Sequence, residues 1–427
     1  MKKLRDILII GFALFSTYFG AGNLMFPPVL GLKSGTNWLY SALGLAASGI
    51  MLPVIGIIII AYAGGSVEKM TEPIHKNFYK NLMGLIFLSA VFITIPRTAA
   101  VAIELGIFGI FGPVPRIPLV IIFFALAFFV SMSKGKVIDR LGKVLTPTLV
   151  TILLIIVVKS LISPVGTPIV TGNLKPFTTS FIGGYQTGDL LVSFMMASII
   201  IGSIVAKGYS TDKERTNITV RIGIVCFVCL FVIYSSLLFM GACGSSLFPQ
   251  DIERAKLLVN LIEIASGKIG VIGLGIAVVL ACFTTAVGEL TSSSDFFEEL
   301  VGEKISYRIW LLIFSIISVI VAAMGVDKIV ELTAPFFEAV YPICTVILIL
   351  GAFHKVIPNN GTYQGAVYLT TIYSVYTEVF VKAINIRFLA NFVAGMPLFD
   401  YGFGWIIPAI TGFILGTVLY KLKETKS

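Results

Sequence analysis

The sequence predicts an all-α protein that crosses a membrane about twelve times. Of its 427 residues, 57% are hydrophobic and only 12% are charged, whereas a soluble domain carries about 25% charged residues. Apolar runs near the span length of about 20 residues recur along the whole chain. Lysine and arginine are also distributed unevenly between the connections. We therefore expect a single membrane-embedded domain over residues 1–427.

The candidate spans follow from the apolar runs and the polar breaks between them. The first run lacks a small-residue cleavage site, so we interpret it as a retained span and not as a signal peptide. The twelve predicted spans are 7–30, 38–63, 82–103, 117–131, 145–161, 190–206, 222–242, 269–287, 309–324, 329–353, 366–381 and 403–420.

The basic residues predict the orientation, because lysine and arginine concentrate on the cytoplasmic side of a membrane. With the N-terminus inside, 20 of the 31 fall in inner segments and 9 in outer segments. This places the protein in the cytoplasmic (inner) membrane with both termini in the cytoplasm. The net charge of +9 then faces anionic lipid and requires no nucleic-acid partner.

The first span contains a break at residues 19–28. Gly20, Gly22, Pro27 and Pro28 interrupt the apolar run, and a helix interior disfavours glycine by about 1 kcal/mol and proline by about 3 kcal/mol. Unpaired backbone groups are tolerated inside a bilayer only where they are buried in protein or line a cavity. Their N–H groups suit a carboxylate and their carbonyls suit a cation, with the Asn23 side chain beside them. The alternative is a helix that ends at Gly20, followed by a surface loop.

The sixth span opens with Gly183, Gly184, Gly188 and Asp189 and is again rich in small and polar residues. It lies five spans after the first, so the two spans enter the membrane from opposite sides. Irregular segments at matching places in two inverted halves indicate the binding site of a transporter. We expect inverted repeats over 7–161 and 188–353 and additional helices over 362–421.

The eighth span carries Ala281, Thr284 and Thr285. Two adjacent hydroxyls and a carbonyl one turn upstream offer neutral oxygens, which suit a releasable sodium ion better than calcium. The alternative is that the threonines bond to carbonyls of their own helix and pack against neighbours.

Charged residues inside a membrane are costly and therefore indicate function. The candidates are Arg97, Asp189 and Glu338, where Arg97 and Glu338 could pair across the helices or a carboxyl could carry a proton. The sequence has neither a nucleotide-binding glycine loop nor a His-Glu-x-x-His motif. We expect no enzyme activity and no cofactor, and uphill transport would draw on an ion gradient.

Residues 12–28, Phe-Ala-Leu-Phe-Ser-Thr-Tyr-Phe-Gly-Ala-Gly-Asn-Leu-Met-Phe-Pro-Pro, resemble the first-helix signature of the bacterial branched-chain amino acid:cation symporters, and Tyr341-Pro342 is also similar to that family. The resemblance implies the amino acid-polyamine-organocation superfamily and a LeuT-type fold, which has two inverted repeats of five helices plus two more.

The resemblance also implies site residues. The amides of Ala21, Gly22 and Asn23 would bind the substrate carboxylate, and an unwound stretch with Phe194, Ala197 and Ser198 would meet its ammonium group. One sodium would be bound by Ser16, Phe19, Ala281, Thr284 and Thr285, and a second by Tyr18 and Asn23.

The expected function is uptake of leucine, isoleucine and valine with sodium by alternating access. Proton coupling through Glu338 or Asp189 is an alternative in the same class. A passive channel or a ligand sensor is an alternative in a different class.

Overall fold

The computed structural model describes residues 2–132, 138–381 and 395–425. Within these ranges the chain is helical and contains no β-strand, so the all-α prediction is confirmed. The basic residues used for the orientation that lie outside the described residues are Lys134, Lys136, Lys382, Arg387 and Lys426.

The helices are short where glycine, proline or π-helical turns interrupt the spans. In chain order they are α1 (Lys2–Tyr18), α2 (Phe26–Ser34), α3 (Trp38–Leu45), α4 (Leu52–Tyr62), α5 (Val67–Thr71), α6 (Phe78–Ser89), α7 (Ile95–Val101), α8 (Phe108–Phe111), α9 (Arg116–Ser131), α10 (Ile138–Ile162), α11 (Pro176–Tyr185), α12 (Asp189–Ala206), α13 (Asp212–Cys243), α14 (Arg254–Leu300), α15 (Tyr307–Ala322), α16 (Val326–Ala352), α17 (Asn360–Val375) and α18 (Ile406–Glu424). The π-helical segments are Ala46–Met51, Ala90–Thr94, Ala102–Ile107 and Tyr376–Phe380, and a 3-10 segment covers Ala21–Met25.

Long apolar helices account for most of the predicted spans. Among the described residues, seven helical stretches are long and apolar enough to cross a membrane by length and composition, namely Asn23–Tyr62, Phe78–Phe111, Asp189–Ala206, Asp212–Ser246, Arg254–Leu300, Val326–Ala352 and Ile406–Glu424. The helix α14 contains a kink at Gly267, where φ is 67°. This kink separates a short helix, residues 254–266, from the eighth predicted span.

Large apolar side chains cover the outer faces of several helices. Phe129 on α9, Ile320 on α15 and Leu419 on α18 are all more than 60% exposed. A soluble monomer rarely exposes contiguous apolar surface on this scale. These faces therefore fit the hydrocarbon of a bilayer.

The start of the first span and the end of the sixth span are joined by polar contacts. Lys207, just after α12, forms an ion pair with buried Asp6 on α1 at 3.1 Å, and the Tyr209 hydroxyl donates to the other carboxylate oxygen at 3.3 Å. The hydrogen bond from Lys207 lowers the pKa of the Asp6 carboxyl below its ordinary value. The two interrupted spans are therefore joined at these ends by a charged contact.

Glycines bring α17 and α18 into backbone contact. Gly361 and Gly365 face Gly416 and Gly412, and a Cβ added to Gly365 would lie 2.0 Å from the Gly412 carbonyl oxygen. Small residues spaced four apart on both helices permit this close approach in a membrane.

We expect Gly365→Ala to lower the thermal unfolding temperature, because the new methyl group must push the two helices apart, which costs about 1–3 kcal/mol. Gly273→Ala in α14 is the matched control, since an added Cβ there meets nothing within 4 Å. The control should unfold at the wild-type temperature or above it, because alanine favours a helix over glycine by about 1 kcal/mol. Equal unfolding temperatures for the two variants would contradict this packing.

Candidate functional site

The first span is interrupted where the sequence predicts. The helix α1 ends at Tyr18, Gly20 is extended with φ −75° and ψ 137°, and α2 begins at Phe26 with prolines in its first turn. Asn23 is only 4% exposed. The break is therefore buried among the helices, and the surface-loop alternative is wrong.

The sixth span is also interrupted, at a different place from the one predicted. The helix α11 ends at Tyr185, Gly188 adopts a left-handed conformation with φ 77°, and α12 begins at Asp189. Such a backbone conformation is readily adopted only by glycine, and the predicted stretch 194–198 contains neither glycine nor proline. The sixth span therefore begins before residue 190, its predicted start.

The predicted unwound residues Phe194, Ala197 and Ser198 lie inside the continuous helix α12, so that prediction of unwinding is wrong. Phe194 and Ala197 are buried, while Ser198 is exposed.

Side chains join the two breaks directly. The Asn23 amide Nδ2 donates to the Asp189 carboxylate Oδ1 at 2.9 Å, and both residues are buried. The last residue of α1, Tyr18, and Ser193, one turn into α12, form a second contact. Their hydroxyls lie 2.8 Å apart, and each lies within hydrogen-bond distance of the Pro53 carbonyl, at 3.1 and 3.0 Å. The first and sixth spans thus meet at their interruptions through polar side chains.

Arg97 on α7 bonds to the second break. Its guanidinium donates to the Gln186 carbonyl at 2.6 Å and to the Thr187 carbonyl at 3.2 Å. It also lies 5.3 Å from the ring centre of Phe26 and 6.0 Å from that of Phe337, within the range of cation–π attraction. Arg97 is therefore held by carbonyls freed at the break and by rings of the first and tenth spans.

The Arg97 guanidinium donates its hydrogen bonds at Nη1 and Nη2 to the break in the sixth span, and a pairing with Glu338 stays a prediction. Glu338 is half-buried on α16. On the same helix, buried Tyr341 accepts a hydrogen bond from the backbone N–H of Leu190 at 3.3 Å. The tenth span thus contacts the start of α12.

The predicted sodium ligands of the eighth span lie on α14, which contacts the 3-10 segment Ala21–Met25. Ala281, Thr284 and Thr285 are all partly exposed, and the Thr284 hydroxyl donates to the Ala281 carbonyl at 3.0 Å. This hydrogen bond agrees with the packing alternative. It also leaves the lone pairs of the hydroxyl oxygen for a cation, because the hydroxyl acts as the donor.

The backbone around the first break places the remaining predicted ligands. Ser16 lies in the last turn of α1, and Phe19 follows the helix directly. The Tyr18 carbonyl accepts from the Gly20 N–H at 2.8 Å and from Asn23 Nδ2 at 3.2 Å. The Tyr18 carbonyl therefore already has two donors, and a second sodium ion at Tyr18 and Asn23 stays a prediction.

The amides of the first break are not equivalent. The Asn23 N–H donates to the Gly20 carbonyl at 2.9 Å. Ala21 and Gly22 begin the 3-10 segment, and the first N–H groups of a helical segment have no partner within it. Ala21 and Gly22 are therefore the better amides for a carboxylate.

Two groups at this site were not predicted. Glu289 on α14 accepts a hydrogen bond from the Thr94 hydroxyl at 2.6 Å, and Gln186 lies within the second break. The cluster Gly183, Gly184 and Gly188 was the signal for the second break. The contact between Thr94 and Glu289 joins residues 195 positions apart, and no local pattern indicates it.

Comparison with solved structures defines the fold type. Over 96% of this chain and 92% of the other, the fold matches Mhp1, a nucleobase-cation-symport-1 family transporter, with a TM-score of 0.65 at 12% identity. A Na⁺-coupled sialic acid symporter matches over 99% of this chain and 98% of its own, with a TM-score of 0.52 at 14% identity. The fold with its two interrupted spans is thus of the LeuT type.

The sequence then identifies the family. Residues 3–423 match the family described as branched-chain amino acid transport protein, and the chain belongs to this family. It is 33% identical to the branched-chain amino acid permease BraB of Bacillus subtilis (strain 168), over 97% of this chain and 96% of that protein. It is 28% identical to the branched-chain amino acid permease BrnQ of Escherichia coli (strain K12), over the same shares of the two chains. The protein is accordingly a transporter and not an enzyme.

Proposed function

We propose that this protein takes up leucine, isoleucine and valine across the cytoplasmic membrane together with sodium, by alternating access, with both termini in the cytoplasm. The observation that carries the proposal is the meeting of two interrupted helices through Asn23 and Asp189 at 2.9 Å. Broken helices that face each other within a bundle supply the polar groups that a zwitterion needs inside a membrane. The named activity of the BraB and BrnQ relatives supports the substrate class.

In the proposed site, the substrate carboxylate binds the amides of Ala21 and Gly22 at the start of the 3-10 segment. Sodium binds the carbonyls of Ser16, Phe19 and Ala281 and the hydroxyls of Thr284 and Thr285. An ion shifts a conformational equilibrium only through different affinities for the two states. This set joins the first span to the eighth, so a change in their separation alters the affinity for sodium.

Uptake of labelled leucine into proteoliposomes tests the proposal. Sodium, lithium and proton gradients are imposed one at a time, and accumulation above the external concentration is measured. We expect accumulation with a sodium gradient alone. Equilibration without accumulation under every gradient would indicate a channel, and binding without uptake would indicate a sensor.

Proton coupling is the second candidate, and the burial of Asp189 favours it. This carboxyl is 3% exposed and forms no ion pair within 4 Å among the described residues, so a proton is one way to neutralise it. Glu338 and Arg97 are the other charged groups considered for coupling. Accumulation driven by a pH gradient without sodium would support this candidate over sodium.

We expect the double variant Thr284→Ala, Thr285→Ala to raise the sodium concentration for half-maximal uptake at least about tenfold, since each lost ligand costs about 1 kcal/mol. Thr291→Ala is the matched control on the same helix, because its hydroxyl donates to the Val287 carbonyl. The control should keep the wild-type sodium dependence. A double variant with unchanged sodium dependence would show that the sodium site lies elsewhere.

A further inference from the structure

The backbone acceptors of the second break are already occupied. The Gln186 and Thr187 carbonyls, which the LeuT-type resemblance would offer to the substrate ammonium, accept hydrogen bonds from Arg97 at 2.6 and 3.2 Å. A guanidinium on these oxygens repels a second cation, and this repulsion is strong away from water. The ammonium group of a substrate therefore needs other acceptors.

Two side-chain oxygens at the same break have no hydrogen-bond partner among the residues that the structure describes. They are Oδ2 of Asp189 and Oε1 of Gln186, whose residues are 3% and 7% exposed. A buried polar atom without a partner costs about 1–3 kcal/mol, and more when it is charged. Since most such atoms in folded proteins are bonded, a group of this kind indicates a missing ligand.

The Asp189 side chain is held in place for this role. Its other oxygen, Oδ1, accepts from Asn23 Nδ2 at 2.9 Å, and its backbone N–H donates to the Thr187 hydroxyl at 3.3 Å. Asp189 also occupies the first turn of α12, where the helix dipole stabilises a negative charge. A fixed carboxylate with one bonded and one unbonded oxygen is suited to accept from an ammonium group.

We propose that Asp189 Oδ2, together with Gln186 Oε1, binds the α-ammonium group of the transported amino acid. This inference rests on the proposed function and adds to it a binding site made of side chains. The ammonium supplies hydrogen-bond donors for both oxygens and neutralises the buried carboxylate. The substrate is thereby recognised as an amino acid and not only as a branched carboxylic acid.

The test measures binding of labelled leucine to the purified protein in sodium, with unlabelled leucine or 4-methylpentanoate as competitor. The second compound is leucine without its amino group. The wild type should bind leucine at least about a hundredfold more tightly than 4-methylpentanoate. This ratio corresponds to the loss of a charge-assisted hydrogen bond that leaves a buried carboxylate without its partner. In Asp189→Asn the affinity for leucine should fall at least thirtyfold while that for 4-methylpentanoate stays equal or rises, so the preference collapses.

Gln186→Leu is the second variant and keeps the inference testable if Asp189→Asn fails to fold. It should lower the affinity for leucine about tenfold and leave the affinity for 4-methylpentanoate unchanged. Asp251→Asn is the control, an exposed aspartate in an outer connection, and should bind both compounds like the wild type.

The outcomes separate this inference from the proposed function. Should Asp189→Asn lose proton-driven uptake yet keep the full preference for leucine, the carboxyl is a proton carrier and the inference is overturned. Equal loss of affinity for both compounds in either variant overturns it as well, since it indicates a structural role. A wild type that binds none of the three branched-chain amino acids refutes the proposed function itself.

Discussion

Arg97→Met is expected to reduce the initial rate of leucine uptake at least about a hundredfold. Arg97 is 3% exposed and donates to two carbonyls of the second break. Each hydrogen bond to a charged group contributes about 1.5–3 kcal/mol, and its loss leaves the buried carbonyls without a partner. The break would then lose the contacts that hold its backbone open.

Arg97→Lys should be impaired about tenfold, because one ammonium group cannot reproduce the planar fork that reaches both carbonyls. Arg221→Met, at an exposed position of α13, is the control and should transport normally. The rates are measured in proteoliposomes and divided by the amount of folded protein. Uptake by Arg97→Met within threefold of the wild type would mean that Arg97 does not support the site.

Asn23→Asp is expected to abolish most uptake at pH 7 and to recover part of it at pH 5. The change replaces a donor with a second carboxyl next to Asp189, at a position where the two side chains now lie 2.9 Å apart. Two negative charges at this distance repel by about 6 kcal/mol at an effective dielectric constant of 20. A proton shared between the two carboxyls restores a hydrogen bond, so acid relieves the defect.

The uptake of Asn23→Asp is compared with that of the wild type at each pH under the same sodium gradient. Asn77→Asp, at an exposed position between α5 and α6, controls for the added charge and should follow the wild type throughout. Wild-type uptake by Asn23→Asp at pH 7 would show that Asn23 and Asp189 are not in contact in the transporting protein.

The sequence predicts the first break well because glycine and proline act locally. Gly20, Pro27 and Pro28 disfavour a helix interior, and the structure interrupts the span between Tyr18 and Phe26, with both prolines in the first turn of α2. The second break was placed 6 to 12 residues too late. Gly188 takes the left-handed conformation there, whereas the stretch 194–198, which the resemblance implies as unwound, contains no glycine.

Contacts between distant residues were beyond prediction from one sequence. Asn23 and Asp189 were both candidates, but the bond between them joins residues 166 positions apart. Arg97 was a candidate for pairing with Glu338, and its bonds to two neutral carbonyls of the second break were not expected. Such choices depend on which buried groups the packed helices bring together, since each buried donor must find an acceptor.

A structure of the protein in nanodiscs with leucine and sodium tests the central claim most directly. We predict leucine between the Ala21–Met25 segment and Asp189, with its polar atoms about 3 Å from groups of both breaks. Leucine bound where neither interrupted span contributes a contact would contradict the account.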